Sequence, residues 1–292
     1  MVPLIAVGAA ALWGASKVSD AKDNLRRAND INSQAAAIAN DSKAEVDRAH
    51  GNMKKFLDIV GETKMDLMSG IYDDFACTAG KIHRKFKVNH DTAGLRELEE
   101  FGFNEKILHE MQALSNEAKR LISTPEFDSA DGGSYAAIGL LGAGVLGLGG
   151  SLIAGPAMAI YGMMKSDEAE AALYEASSKL DEARLYQERC KNMCVLFSAI
   201  GARGRQINNL LIDLNKYFEP AVDNMNNIAY RRNYNFTGAS IQEKMPIYYT
   251  FQIANTIKNI IDTAIIQDDW SINPMLDTPI IKAQENIKLL KS

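Results

Sequence analysis

Gly132–Met164 reads GGSYAAIGLLGAGVLGLGGSLIAGPAMAIYGMM, and between Asp131 and Lys165 it carries no Asp, Glu, Lys, Arg or His. A helix on the surface of a soluble protein keeps one face polar, whereas this segment is apolar or glycine all round, which implies burial on every side, in protein or in lipid. Gly139, Ala143, Gly147, Ser151, Gly155 and Ala159 place a small residue at every fourth position, a groove on one helix face into which a second helix can approach closely. Leu140, Leu141, Val145, Leu146, Leu148, Leu152, Ile153 and Met158 cover the remaining surface.

Glycine costs roughly 1 kcal/mol relative to alanine in a water-exposed helix, so such a segment needs close packing or a medium that punishes unpaired backbone groups. Gly149-Gly150 and Gly155-Pro156 are the two breaks, and each can be the tip of a helical hairpin. With the tip at Gly149-Gly150 each arm has about 14 residues, about 21 Å, short of a hydrocarbon core of roughly 30 Å. With the tip at Gly155-Pro156 the first arm has about 19 residues and can span. A membrane-type hairpin is the favoured reading, and the central helix pair of a soluble bundle is the other. Gly142, Gly144 and Gly147 also spell the dinucleotide fingerprint with Asp167 downstream, but that motif needs a preceding strand and a parallel sheet, and almost no segment here has a strand period.

The first residues, Met1 to Ser16, are apolar as well. No Lys or Arg precedes the apolar run, so a cleaved signal peptide is not expected. Leu4 and Ile5 supply apolar bulk, Trp13 suits an interface, and Ala6, Ala10 and Gly14 repeat the four-residue spacing of small side chains. The segment is expected to contact membrane or the hairpin; a terminus docked on a core is the alternative.

The flanks are helical in pattern. Counting heptads from Val18 gives a and d positions that include Leu25, Ala28, Asn32, Ala35, Ala39, Ser42, Val46, Met53, Phe56, Val60, Thr63 and Leu67, with charge elsewhere and no proline from Lys17 to about Phe75. Cys77 to Phe103 reads as irregular, punctuated by Gly80, Gly94 and Gly102, with a short helix from Thr92 to Glu100 and a basic surface turn at Lys81–Lys87. Asn104 should cap a helix to about Ser123. After Lys165 the three-four spacing resumes through Leu173, Ala176, Leu180, Ala183, Cys190, Cys194 and Phe197 and ends near Phe218, ahead of Pro220. Shorter helices fill the rest. The fold expected is all-α: an elongated antiparallel bundle of coiled-coil rods carrying an apolar Gly/Ala-rich helical hairpin. Its segments are 1–16, apolar; 17–131, a long helix plus shorter ones; 132–164, the hairpin; 165–218, a second long helix; and 219–292, a helical cap.

Net charge is −5, and no basic stripe interleaved with aromatics is visible, which argues against nucleic acid as a partner. Cys77, Cys190 and Cys194 form no disulfide framework and suit a reducing compartment. Cys77, His83 and His90 do not make a metal-ligand pattern. No paired carboxylates in a pocket-like context, nucleophile–His pair, P-loop or H-E-x-x-H sequence is present, so neither enzymatic activity nor a cofactor is expected.

Long amphipathic helices with an apolar Gly/Ala hairpin between them and no signal peptide together resemble the α-helical pore-forming toxins of the cytolysin A and haemolysin BL kind. That resemblance is one of element order, and the apolar extreme N-terminus departs from it. It implies a hairpin covered in a soluble or cytoplasmic form that inserts into a membrane on assembly, with a lipid membrane and a homo-oligomer or helical protein as partners. The function expected is membrane insertion with oligomerisation, pore-forming or permeabilising. A membrane-anchored coiled-coil scaffold and a wholly soluble helical structural protein are the alternatives.

Overall fold

The computed structural model describes residues 5–123, 169–267 and 271–291. The protein is all-α. Among the described residues there are seven α-helices: α1 (Ile5–Ser69), α2 (Ile71–Val88), α3 (Thr92–Glu100), α4 (Glu105–Ile122), α5 (Ala169–Arg231), α6 (Ile241–Asp262) and α7 (Asp277–Lys291). A single antiparallel bridge, Ile266 to Ile272, is the one β-type contact among them. No described helix is long and apolar enough to cross a membrane.

The chain divides into two compact units, one of Met1–Gly51 with Gly147–Phe197 and the other of Asn52–Leu146 with Ser198–Ser292. In the first, Ala28, Ala35 and Ser42 are buried on α1 and Ala176, Ala183, Cys190 and Phe197 on α5, each set recurring every seventh residue. This is a coiled-coil seam lined mainly by alanine, narrow enough that Leu25, at an expected a position, is 48 % exposed. At the high-numbered end of the seam the His50 ring meets Phe197 at 5.4 Å between centroids.

The second unit buries a wider face. Met53, Leu57, Val60, Met65, Leu67 and Met68 are all inside, because several helices surround this part of α1. Thr63 Oγ1 donates to Asn208 Oδ1 at 2.6 Å, and the backbone at Gly201 and Gly204 lies against Met53, Phe56, Leu57 and Val60. Residue numbers therefore rise together along α1 and α5, so the two long helices are parallel here. The antiparallel relation expected for the bundle holds instead between α2 and α4, where Asp73 accepts from Ser115 and Lys87 pairs with Glu105, and between α2 and α6. An a/d stripe has the same spacing in either direction, which is why the pattern alone did not separate them.

α6 is apolar on most of its surface and occupies the centre. Tyr72 donates to the Ala254 carbonyl at 3.3 Å and Phe75 packs on Phe251, which sets α6 antiparallel to α2. Thr250 Oγ1 donates to the Ala221 carbonyl on α5, and Asn286 of α7 donates to Thr256 Oγ1 at 2.7 Å.

Three expected boundaries shift. α1 starts at Ile5, so no backbone break falls at Ser16. α5 runs through Pro220 to Arg231 rather than ending near Phe218. Pro220 and Lys216 are both exposed, so the carbonyl left without an amide partner lies on the solvent side, where water can satisfy it. Residues 71–88 are helical through Gly80, and His83, expected on a surface turn, is buried against Phe103. Thr92–Glu100 and the Asn104 cap fall as expected; Asn104 Oδ1 accepts from Ile107 N at 2.9 Å.

Gly204 offers a direct test of the α1–α5 packing. A Cβ built there stands 3.6 Å from Val60 and 3.8 Å from Leu57, ordinary contact distances. Gly204→Ala is expected to raise stability by about 0.5–1 kcal/mol through helix propensity, and Gly204→Leu to lower it by roughly 1–3 kcal/mol through overpacking. Chemical denaturation of the two variants checks the pair; a stabilising leucine would refute the close approach.

Candidate functional site

The residues that carry the membrane reading, Gly139, Ala143, Gly147, Ser151, Gly155, Ala159, Leu140, Leu141, Val145, Leu148, Leu152 and Ile153, lie outside the described residues, as does Leu4. Ile5 and Trp13 belong to the first turns of α1.

Within the second unit the chemistry that stands out is a set of buried lysines around α6. Lys64 of α1 is fully buried, and its Nζ donates to the Ile261 carbonyl at 3.3 Å. Ile261 is in the last turn of α6, where unpaired carbonyls and the helix dipole favour a cation. Burial nevertheless pushes the Lys64 ammonium down to about 8, with Asp262 pulling weakly the other way. Burial, and after it Asp262, raises the Tyr72 hydroxyl well above its usual range.

Lys258, on α6 itself, donates to Asp262 at 2.6 Å and pairs with Glu110 of α4 at 2.9 Å. Burial acts to lower its ammonium, yet the hydrogen bonds to Asp262 and Glu110 hold it above its ordinary value. Lys244, near the other end of α6, pairs with Glu97 of α3 at 2.5 Å, and one turn on Tyr248 stacks on Phe101 with centroids 3.9 Å apart. These three lysines tie α6 to α1, α3 and α4 along its length.

An open groove of about 420 Å3 runs between the α1–α2 junction and α5, lined by Thr63, Asp66, Leu67, Ile71, Leu211 and Asn215 among others. No group of three or more potential metal ligands occurs among the described residues. Cys77 is exposed, Cys190 buried and Cys194 half-buried, all three as free thiols. Burial, then Glu45, pushes the Cys194 thiol up, the direction that makes a thiol less reactive.

A mixed basic and aromatic surface forms where α2 and α5 end, and the linear reading missed it because its parts are far apart in the chain. Asn89 Nδ2 donates to Asn235 Oδ1 at 3.0 Å and to Thr237 Oγ1 at 3.1 Å, which joins the two helix ends. Lys81 Nζ stands 5.0 Å over the Tyr234 ring. No family model, curated protein or solved structure matches the chain.

Proposed function

We propose that this chain is a membrane-inserting, oligomerising α-helical protein that permeabilises bilayers, with Gly132–Met164 as the inserting element. The observation that carries the reading is the composition of that segment: no Asp, Glu, Lys, Arg or His between Asp131 and Lys165, and a small residue at every fourth position from Gly139 to Ala159. The all-α bundle and its two long helices suit an element of that kind, since helices satisfy their own backbone groups in lipid.

The test is dye release from liposomes by the purified full chain. Wild type is expected to release dye. A charged side chain at the bilayer centre costs roughly 2.5–3.5 kcal/mol, so Gly147→Glu is expected to lower release on the order of a hundredfold. Gly147→Leu is expected to keep partitioning into vesicles while losing the crosslinked oligomer, because leucine fills the groove that small residues leave open. A wild type that neither binds nor permeabilises any lipid mixture ends this reading, and a leucine variant with a much lower melting temperature and unchanged oligomer yield would assign the small-residue stripe to core packing.

The seven-residue alanine seam of the first unit favours a second reading, a membrane-anchored coiled-coil scaffold that recruits a helical protein partner. Cell fractionation separates the two. Recovery only from the membrane pellet, with detergent, selects the scaffold; recovery without detergent selects conditional insertion.

A further inference from the structure

The exposed face of α2 is basic over its second half. Lys81, Arg84 and Val88 follow at spacings of three and four, share one side of the helix and are exposed, with Lys85 half-buried at its edge. Beside it, α5 ends at Arg231, and Tyr230 in that last turn is 77 % exposed; Val88 is 66 % exposed. Both are large apolar groups left in water at a place where two helix ends converge.

Helix C-termini often carry basic residues to complement the dipole. That explains Lys85 and Lys87 in the last turn of α2 and Arg231 in the last turn of α5. It does not explain Lys81 and Arg84, farther from the end, or the exposed Tyr230 and Val88. Two cations of the region are neutralised, Lys87 by Glu105 and Arg232 by Glu243. Among the described residues Lys81, Arg84, Lys85 and Arg231 form no ion pair. The nearest carboxylate on the exposed face of α2 is Asp74, about 10 Å along the helix from Lys81 at 1.5 Å per residue.

The backbone beneath the patch is strained. Asn233 has φ 48° and Tyr234 φ 61°, both left-handed, held by Tyr234 N donating to the Ala229 carbonyl at 2.7 Å. A tyrosine in that region crowds its Cβ against the following carbonyl oxygen, and the conformation places its ring under Lys81. Strain of this kind persists where the surroundings over-determine it, and it gathers at functional surfaces.

We propose that Lys81, Arg84, Lys85 and Arg231, with Tyr230 and Val88 as apolar anchors, form the surface by which this chain docks on an anionic lipid bilayer. The inference rests on the membrane reading above and names the lipid chemistry and the contact face. Charge complementarity selects the occupant: each basic side chain near an anionic leaflet contributes roughly 1 kcal/mol, and an exposed tyrosine beside them belongs at the headgroup level. The chain as a whole is acidic, with net charge −5, so attraction to an anionic surface has to come from a local face such as this one.

The test is co-flotation of the full chain with phosphatidylcholine vesicles, with and without phosphatidylserine, at low and high salt. Wild type is expected to float with the phosphatidylserine vesicles at low salt and to be released by high salt. The triple variant Lys81→Gln, Arg84→Gln, Lys85→Gln should partition on the order of a hundredfold less, from three contributions of roughly 1 kcal/mol each. Lys81→Arg with Lys85→Arg should float as wild type does, and Tyr230→Ser should lose severalfold. Should the triple variant melt early, Arg84→Gln alone replaces it, with an expected loss of about fivefold.

Equal flotation of wild type and the neutralised variant, or equal wild-type binding to neutral and anionic vesicles, overturns the proposal. So does a wild type that binds duplex DNA but no vesicle, with the neutralised variant losing that binding. Dye release keeps this proposal separate from the function it builds on. Wild type that floats but releases nothing leaves the docking face standing and ends the insertion reading. A neutralised variant that releases dye as wild type does ends the docking face and leaves insertion standing.

Discussion

Gly94→Ala is expected to destabilise the protein by on the order of 3 kcal/mol, the upper range for overpacking a core. Gly94 is in the first turn of α3, where its amide donates to the Asp91 side chain at 2.9 Å and completes the N-cap. A Cβ at this position would stand 2.7 Å from Phe86 Cδ1 and 2.7 Å from Asp91 Oδ2. Neither neighbour can yield cheaply. Phe86 is 1 % exposed and cannot move without displacing the core around it, and moving Asp91 gives up a cap worth about 1 kcal/mol. Lys244 lies 6.0 Å from the Phe86 ring centre and pairs with Glu97, so the disturbance reaches the contacts among α2, α3 and α6.

Gly80→Ala is the control. The Cβ there meets Gln112 Nε2 at 2.8 Å, the far end of a flexible side chain, so the change should stay within about 1 kcal/mol of wild type. Urea denaturation of both variants reads the contrast. Equal midpoints would mean that Phe86 is not wedged against α3.

The second large effect belongs to Lys64. Its ammonium titrates near 10.5 when unfolded and near 8 when folded, so the folded state disfavours the charge. Between those values the unfolded chain binds a proton that the folded chain has released, and stability rises with pH through the window. Below about pH 8 both states are charged and the whole penalty is present, on the order of 3 kcal/mol for a separation of this size.

Unfolding free energy measured from pH 7 to pH 10 should therefore climb in wild type. Lys64→Met keeps an unbranched side chain one atom shorter, removes the titration and gives up the hydrogen bond to the Ile261 carbonyl, so the climb should be lost whatever the offset at neutral pH. Tyr72 acts in the opposite sense above its unfolded value of 10, because burial keeps its proton on in the folded state, and the window is best closed there. A wild-type curve that runs parallel to the methionine variant's from pH 8 to pH 10 would contradict the assignment of a buried, strained charge to Lys64.

How much of this was legible in the residues differs from element to element. The seams were: Ala28, Ala35, Ser42, Val46, Met53, Val60 and Leu67 all occupy expected a or d positions and all are buried. Thr92–Glu100 and the Asn104 cap were readable because capping is local chemistry. Lys64 left a trace. It falls in step with Val60 and Leu67 on the apolar stripe, and a lysine in step with a seam is a signal that charge is being buried there. The glycines misled, because Gly80, Gly94 and Gly102 look alike as punctuation. Only Gly102, at φ 81°, ends a helix through its conformation; Gly94 is required by the nearness of Phe86, and Gly80 is simply helical.

The all-α class, the two long helices and the charge-free Gly132–Met164 follow from the residues alone, since helical period, capping and polarity are properties of a segment and its immediate neighbours. The parallel sense of α1 and α5 in the second unit, the burial of Lys64, Lys244 and Lys258 around α6, and the placing of Lys81 over the Tyr234 ring were decided by tertiary structure. Each depends on which distant segments pack together, and an amphipathic stripe states how much surface must be covered without stating what covers it.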